Sequence, residues 1–119
     1  MKDFKELKVW EKAHTLTKKV YKTTLRFPKE ELYGLTSQIR RASVSIPNNI
    51  AEGCGRRSDT ELARFLDISM GSASELEYLI LLTKDLDMLS QKDYFDLTSA
   101  VIEIKRMLAT FIKKLRADR

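Results

Sequence analysis

Gln38-Ile39-Arg40-Arg41-Ala42-Ser43-Val44-Ser45-Ile46-Pro47-Asn48-Asn49-Ile50-Ala51-Glu52-Gly53-Cys54-Gly55 is the stretch from which the fold can be read outward. Its apolar residues Ile39, Ala42, Ile46 and Ile50, extended backwards by Leu35 and Leu32, alternate at intervals of three and four, which describes one face of a helix. A second stripe on the same helix, Arg41, Ser45, Asn48 and Glu52, has short hydroxyls and an amide where a wet surface would carry long Lys and Glu. Short polar groups let another backbone approach, and the terminal Arg41 and Glu52 are placed to pair with a neighbouring helix; an ordinary solvated face is the alternative. Pro47 removes one amide donor and crowds the carbonyl of Ser43, so a bend is expected there, with Ser43 and Ser45 satisfying the freed groups locally. Gly53 and Gly55 are expected to end the helix, since either can adopt the left-handed conformation.

The surrounding 119 residues suit one domain with a core that needs neither disulfide nor metal. The chain has 4 Gly and 2 Pro against 33% charged residues, as a mostly helical chain would. Its single cysteine, Cys54, has no internal disulfide partner and no metal-ligand spacing around it. With Met1 to Asp3 running straight into charged helix, a reducing cytoplasm is the expected compartment. The longest apolar run, Tyr78 to Leu82, is too short to span a bilayer, so no membrane is expected.

The net charge of +5 is unevenly spread. Met1–Arg26 holds eight basic and three acidic residues, and Ser90–Arg119 holds seven and four. Ser58–Leu89 holds two basic and seven acidic residues. Such a molecule has one side that attracts anions and another that attracts a second copy.

Val9, Trp10, Ala13, Leu16, Thr17, Val20 and Thr24 predict a first amphipathic helix from about Glu6 to Arg26. Phe27-Pro28 interrupts it, and the second helix begins either at Lys29 or near Thr36. Ser58-Asp59-Thr60-Glu61 has the form of a capping box opening a third helix. Leu62, Phe65, Ser69, Ser72, Leu76, Leu79, Thr83 and Leu86 give that helix a bundle seam. Gly71, Ser72 and Ala73 allow close approach and are expected to face the Ser45 region, with Glu75 as partner for Arg41. A further stripe, Leu66, Met70, Ala73 and Ile80, with Leu81 beside it, exceeds what one core takes, so part of it is expected beneath another chain. Ser90 caps a last helix from about Gln91 to Arg116, with the heptad Tyr94, Leu97, Val101, Ile104, Leu108, Phe111 and Leu115. Four helices with short connections predict an all-α, antiparallel up-down-up-down four-helix bundle.

The chain resembles the bacterial four-helix-bundle proteins labelled 23S rRNA intervening-sequence proteins. The resemblance rests on Leu7, Val9 and Trp10; on Phe27-Pro28, Glu31 and Tyr33-Gly34-Leu35; on Gln38 to Ala42, Ser45-Ile46, Asn49 to Gly53 and Gly55-Arg56; and on Phe65-Leu66, Gly71-Ser72 and Glu75-Leu76. It implies a non-enzymatic protein without cofactors. Through relatives such as the accessory variability protein of diversity-generating retroelements, it also implies a homopentameric ring, nucleic-acid binding and a reverse transcriptase as a partner.

No nucleophile with a histidine base, pair of His ligands or phosphate-cradling Gly loop is present; His14 is the one histidine and reads as structural. A carboxylate pair of Glu52 and Glu75 reads more simply as ion pairing with Arg40 or Arg41. RNA or other nucleic acid is the leading ligand, with Lys18, Lys19, Lys22, Arg56, Arg57, Lys105, Arg106, Lys113 and Lys114 as candidate phosphate contacts. The alternative is a protein-interaction scaffold docking an acidic partner. Structural or interface roles fall to Arg40, Arg41, Asn49, Glu52, Ser72, Glu75, Leu66, Met70 and Ile80.

Overall fold

The three-and-four spacing is realised as four helices: α1 (Lys8–Thr24), α2 (Leu35–Cys54), α3 (Asp59–Asp85) and α4 (Gln91–Ala117), with 3-10 turns at Phe4–Glu6 and Lys29–Glu31. The structure, a computed structural model, describes residues 2–117; Met1, Asp118 and Arg119, which close the two basic segments of the sequence, lie outside it.

Local hydrogen bonding sets the helix ends. α1 starts later than the expected Glu6 because Phe4–Glu6 closes its own tighter turn, with the Asp3 carboxylate accepting from the Lys5 amide at 3.0 Å. For α2 the later of the two expected starts holds: Glu31 Oε1 accepts from the Leu35 amide at 3.1 Å. Ser58 Oγ accepts from the Glu61 amide at 3.1 Å, but the Glu61 carboxylate turns to Arg64, so only half of the capping box forms. Ser90 Oγ accepts from the Asp93 amide at 3.0 Å and opens α4 as expected. Between α3 and α4, Asp87 takes a left-handed φ of 62°, and the Met88 amide reaches back to the Thr83 carbonyl at 2.8 Å, a Schellman-like stop.

Two expectations about α2 are corrected. Neither Gly53 nor Gly55 is left-handed; Gly55 sits at φ −81°, ψ −7°. Gly53 serves packing instead, since a Cβ there would lie 2.8 Å from Phe65 Cβ and 2.9 Å from Leu62 Cδ1. The carbonyl of Ser43, deprived of its amide partner by Pro47, is satisfied from α1: Thr17 Oγ1 donates to it at 2.8 Å. The Ser43 hydroxyl is directed one turn back, to Arg40 O at 2.8 Å.

Among the described residues the backbone of α1 lies beside α2 and α4 and that of α3 beside α2 and α4, while the diagonal pairs stand farther apart across the shared core. With short connections this gives an up-down-up-down square measuring 47 × 22 × 20 Å. Ile39, Ala42, Ile46 and Ile50 of α2 are buried, as are Leu97, Val101, Ile104 and Leu108 of α4. Leu66, Ala73 and Ile80 are each 0% exposed, so these three are covered within the chain and, contrary to expectation, fit its one core. α3 packs on two neighbours at once, so a wider arc of it is covered than one seam requires. Met70 is half-buried against the same core, whereas Leu81 remains 41% exposed.

Candidate nucleic-acid interface and polar face

Basic residues dominate α1 and α4 in the sequence, and the structure separates those already neutralised from those that are free. Lys19 Nζ lies 3.5 Å from Asp96, Lys105 Nζ 2.9 Å from Glu77, and Arg56 3.1 Å from Glu52. Arg56 also lays its guanidinium 4.8 Å from the Phe65 ring centroid. These three are engaged within the chain. Lys18, Lys22, Arg57, Arg106, Lys113 and Lys114 are exposed and have no ion-pair partner among the described residues.

Antiparallel pairing puts the start of α1 beside the end of α4, and the seam between them is graded in charge. Toward one end α4 supplies acids: Asp93 meets Arg26 at 2.6 Å, Asp96 meets Lys19, and Glu103 meets Lys12 at 3.4 Å. After Glu103 the described part of α4 has no acidic residue. There Lys8, Arg106 and Lys114 surround an open groove of about 460 Å³ walled by Leu7, Val9, Met107, Thr110 and Phe111.

Asp96 is contacted by two lysines on this seam, Lys92 and Lys19. The hydrogen bond from Lys92, at 2.8 Å, and the charge of Lys19 hold its carboxyl below the usual carboxylate range. The same bond raises Lys92. On α3, the Arg64 hydrogen bond likewise lowers Glu61.

The α2–α3 side carries the polar stripe. Ser45 Oγ and Ser72 Oγ meet at 2.7 Å, so the small residues of the two helices face each other as expected. Asn49 Nδ2 donates to the Ser45 carbonyl at 2.8 Å and to its hydroxyl at 3.0 Å. Arg40 serves the α1–α2 seam instead: Nε donates to Thr24 Oγ1 at 2.8 Å and the guanidinium stacks 4.8 Å from the Tyr21 centroid. The expected Arg41–Glu75 pair does not form. Both are exposed without an ion-pair partner among the described residues, because the hydroxyl contact occupies the seam and leaves the longer chains pointing to solvent. Glu52 pairs with Arg56, so no Glu52–Glu75 carboxylate pair forms.

Sequence reasoning missed Thr17 and Thr24, whose hydroxyls tie α1 to α2, and Lys8 with Phe111 as parts of the groove. Hydroxyls at helical spacing opposite an internal proline were the available signal for Thr17. His14 stacks on Trp10 at 4.8 Å on the surface of α1. Among the described residues no His, Cys, Asp and Glu cluster is arranged to hold a metal, and no helix is long and apolar enough to cross a membrane.

The family model of the 23S rRNA-intervening sequence protein matches residues 5–110. A crystal structure of a protein of unknown function from the S23 ribosomal protein family of Bacteroides thetaiotaomicron VPI-5482 is similar with a TM-score of 0.80 at 24% identity, over 88% of this chain and 98% of that one. At that identity the likeness is one of fold. Among curated proteins none matches the chain.

Proposed function

The chain belongs to the 23S rRNA-intervening sequence protein family, and from that premise we propose that it is a non-enzymatic helical bundle that self-associates in the cytoplasm and holds RNA electrostatically. One observation carries the RNA reading: Lys18, Lys22 and Lys113, on α1 and α4, are exposed cations without an ion-pair partner among the described residues. Phosphates replace the missing acids, and the released counterions make binding salt-dependent. No row of exposed aromatic rings lines these cations, so the reading is of backbone and shape, not base sequence.

Binding of a structured RNA measured from low to physiological salt tests this. A log–log slope of about −0.9 per phosphate contact is expected on a duplex, and Lys18→Glu/Lys22→Glu lowers both affinity and slope. Salt-independent or undetectable binding rejects the reading.

Self-association is supported by the unused groups of the α2–α3 side and its surroundings: Arg41 and Glu75 without an ion-pair partner among the described residues, Ile68 41% and Tyr78 58% exposed. A closed homopentamer, with two complementary surfaces on each copy, is the proposed form. Light scattering tests it, and a mass of 13.8 kDa, that of one chain, rejects it.

A further inference from the structure

We propose that the groove between the start of α1 and the end of α4 is a docking site for an acidic amphipathic helix of another protein. Its chemistry differs from the rest of the α1–α4 seam. Where Lys12, Lys19 and Arg26 lie, α4 provides an acid for each. Around the groove, Lys8, Arg106 and Lys114 have none among the described residues, so the rim suits a negatively charged partner.

The floor decides what bears that charge. Leu7, Val9, Met107 and Phe111 are apolar, and Thr110 brings the only hydroxyl to the groove. An extended peptide would leave its amides and carbonyls unsatisfied on this floor, as a nucleobase would its polar edges. A helix satisfies its own backbone and can bury an apolar stripe. Met107 adapts its shape to whichever side chains enter. From Met107 to Lys114 the groove follows about 10 Å of α4, roughly two helical turns, so the occupant presents apolar residues at i, i+3 or i+4, and i+7 flanked by Asp or Glu.

A second copy of this chain is a poor occupant. The acidic helix α3 has committed Glu61, Asp67 and Glu77 to Arg64, Arg116 and Lys105. That leaves Asp59, Glu75 and Asp85 scattered along its length. The site is separate from the outward Lys18, Lys22 and Lys113, which do not line the groove.

The test uses the full chain and a fluorescein-labelled synthetic helix of about four turns, with Leu on one stripe and Glu on both flanks, against a scrambled peptide of equal composition. Fluorescence anisotropy is expected to show at least roughly tenfold preference for the amphipathic peptide. Thr110→Trp, which fills the groove from an exposed position, and Arg106→Glu/Lys114→Glu are each expected to remove that preference while leaving the melting temperature unchanged. Lys18→Glu/Lys22→Glu is expected to weaken RNA binding and leave the peptide bound, which separates failure here from failure of the RNA reading. Equal binding of the two peptides overturns the proposal, as does insensitivity to Thr110→Trp. Displacement of the peptide by an unstructured oligouridylate that itself needs an open groove would give the site to RNA. Loss of self-association in Thr110→Trp would give it to a second copy. Either result also overturns the proposal.

Discussion

Thr17 and Pro47 are complementary across the α1–α2 seam: the proline deprives the Ser43 carbonyl of its helical donor, and the threonine hydroxyl donates to that carbonyl at 2.8 Å. The same hydroxyl lies 3.0 Å from the Ala13 carbonyl in its own helix, so its one proton is shared between two acceptors. An internal proline ordinarily costs a helix about 3 kcal/mol. Here the cost is offset by a contact that also fixes the register of two helices.

Removing the hydroxyl leaves a buried carbonyl unsatisfied, so Thr17→Val is expected to destabilise by about 1–3 kcal/mol in chemical denaturation. In a Pro47→Ala background the restored amide supplies the donor, and the same substitution should cost clearly less. Equal costs in both backgrounds, measured as a double-mutant cycle, would show that the two residues are not coupled.

The two helical glycines should respond oppositely to a methyl group. At Gly53 the added Cβ meets Phe65 Cβ at 2.8 Å and Leu62 Cδ1 at 2.9 Å, and the α2–α3 contact must open. Gly53→Ala is expected to cost about 1–3 kcal/mol by overpacking. At Gly71 nothing lies within 4 Å, so Gly71→Ala gains the ordinary helix preference of about 0.5–1 kcal/mol in the single chain. Thermal melts at a concentration where the chain is monomeric read both signs. A stabilising Gly53→Ala would mean the two helices are less tightly apposed than their contact distances state.

The contrast between these glycines marks how far the sequence can be read. Periodicity places a residue at an angle on its helix, so Ile39, Ile46, Leu97 and Ile104 are legible as core without a structure. It does not say how many neighbours cover that angle. For this reason Leu66 and Ile80 looked surplus when α3 in fact packs on two helices. Nor does it choose the partner of a long side chain: Arg41 faces solvent while Arg40, one position away, reaches Thr24. The cationic rim depends on pairing Lys8 with Arg106 and Lys114 from the far end of the chain, which is legible only once the antiparallel order is known. Local signals fared better. Ser58 and Ser90 cap the helices that their sequences announce, because a cap is decided within one turn.

The Asp96 link between α1 and α4 should be lost in acid. Its carboxyl is held below the ordinary 3.8 by the Lys92 hydrogen bond first and by Lys19 after it. A depressed folded-state pKa contributes stability above the unfolded value and loses it as pH falls through the folded one. Asp96→Asn is therefore expected to lower the denaturation midpoint slightly at neutral pH, to have no effect in strong acid, and to matter less in high salt. A midpoint difference that persists unchanged in strong acid would assign the effect of Asp96→Asn to something other than charge.

Cys54 provides the opposite case at alkaline pH. It is buried at 2% exposure near the end of α2, beneath the Lys2 amide that donates to its carbonyl at 3.0 Å. Burial pushes the thiol above its ordinary 9.0, and the positive charge of Lys2 offsets this only in part. The reactive thiolate is correspondingly scarce and shielded. Alkylation by iodoacetamide is expected to be much slower in the native chain than in denaturant at the same pH. Because the unfolded chain ionises first, stability linked to this thiol is complete below the unfolded pKa and declines as pH rises through 9.0 toward the higher folded value. Cys54→Ala should flatten that alkaline decline in the denaturation midpoint. Rapid native alkylation near neutral pH, or a decline unchanged by Cys54→Ala, would show that the thiol is not held in the neutral state by its surroundings.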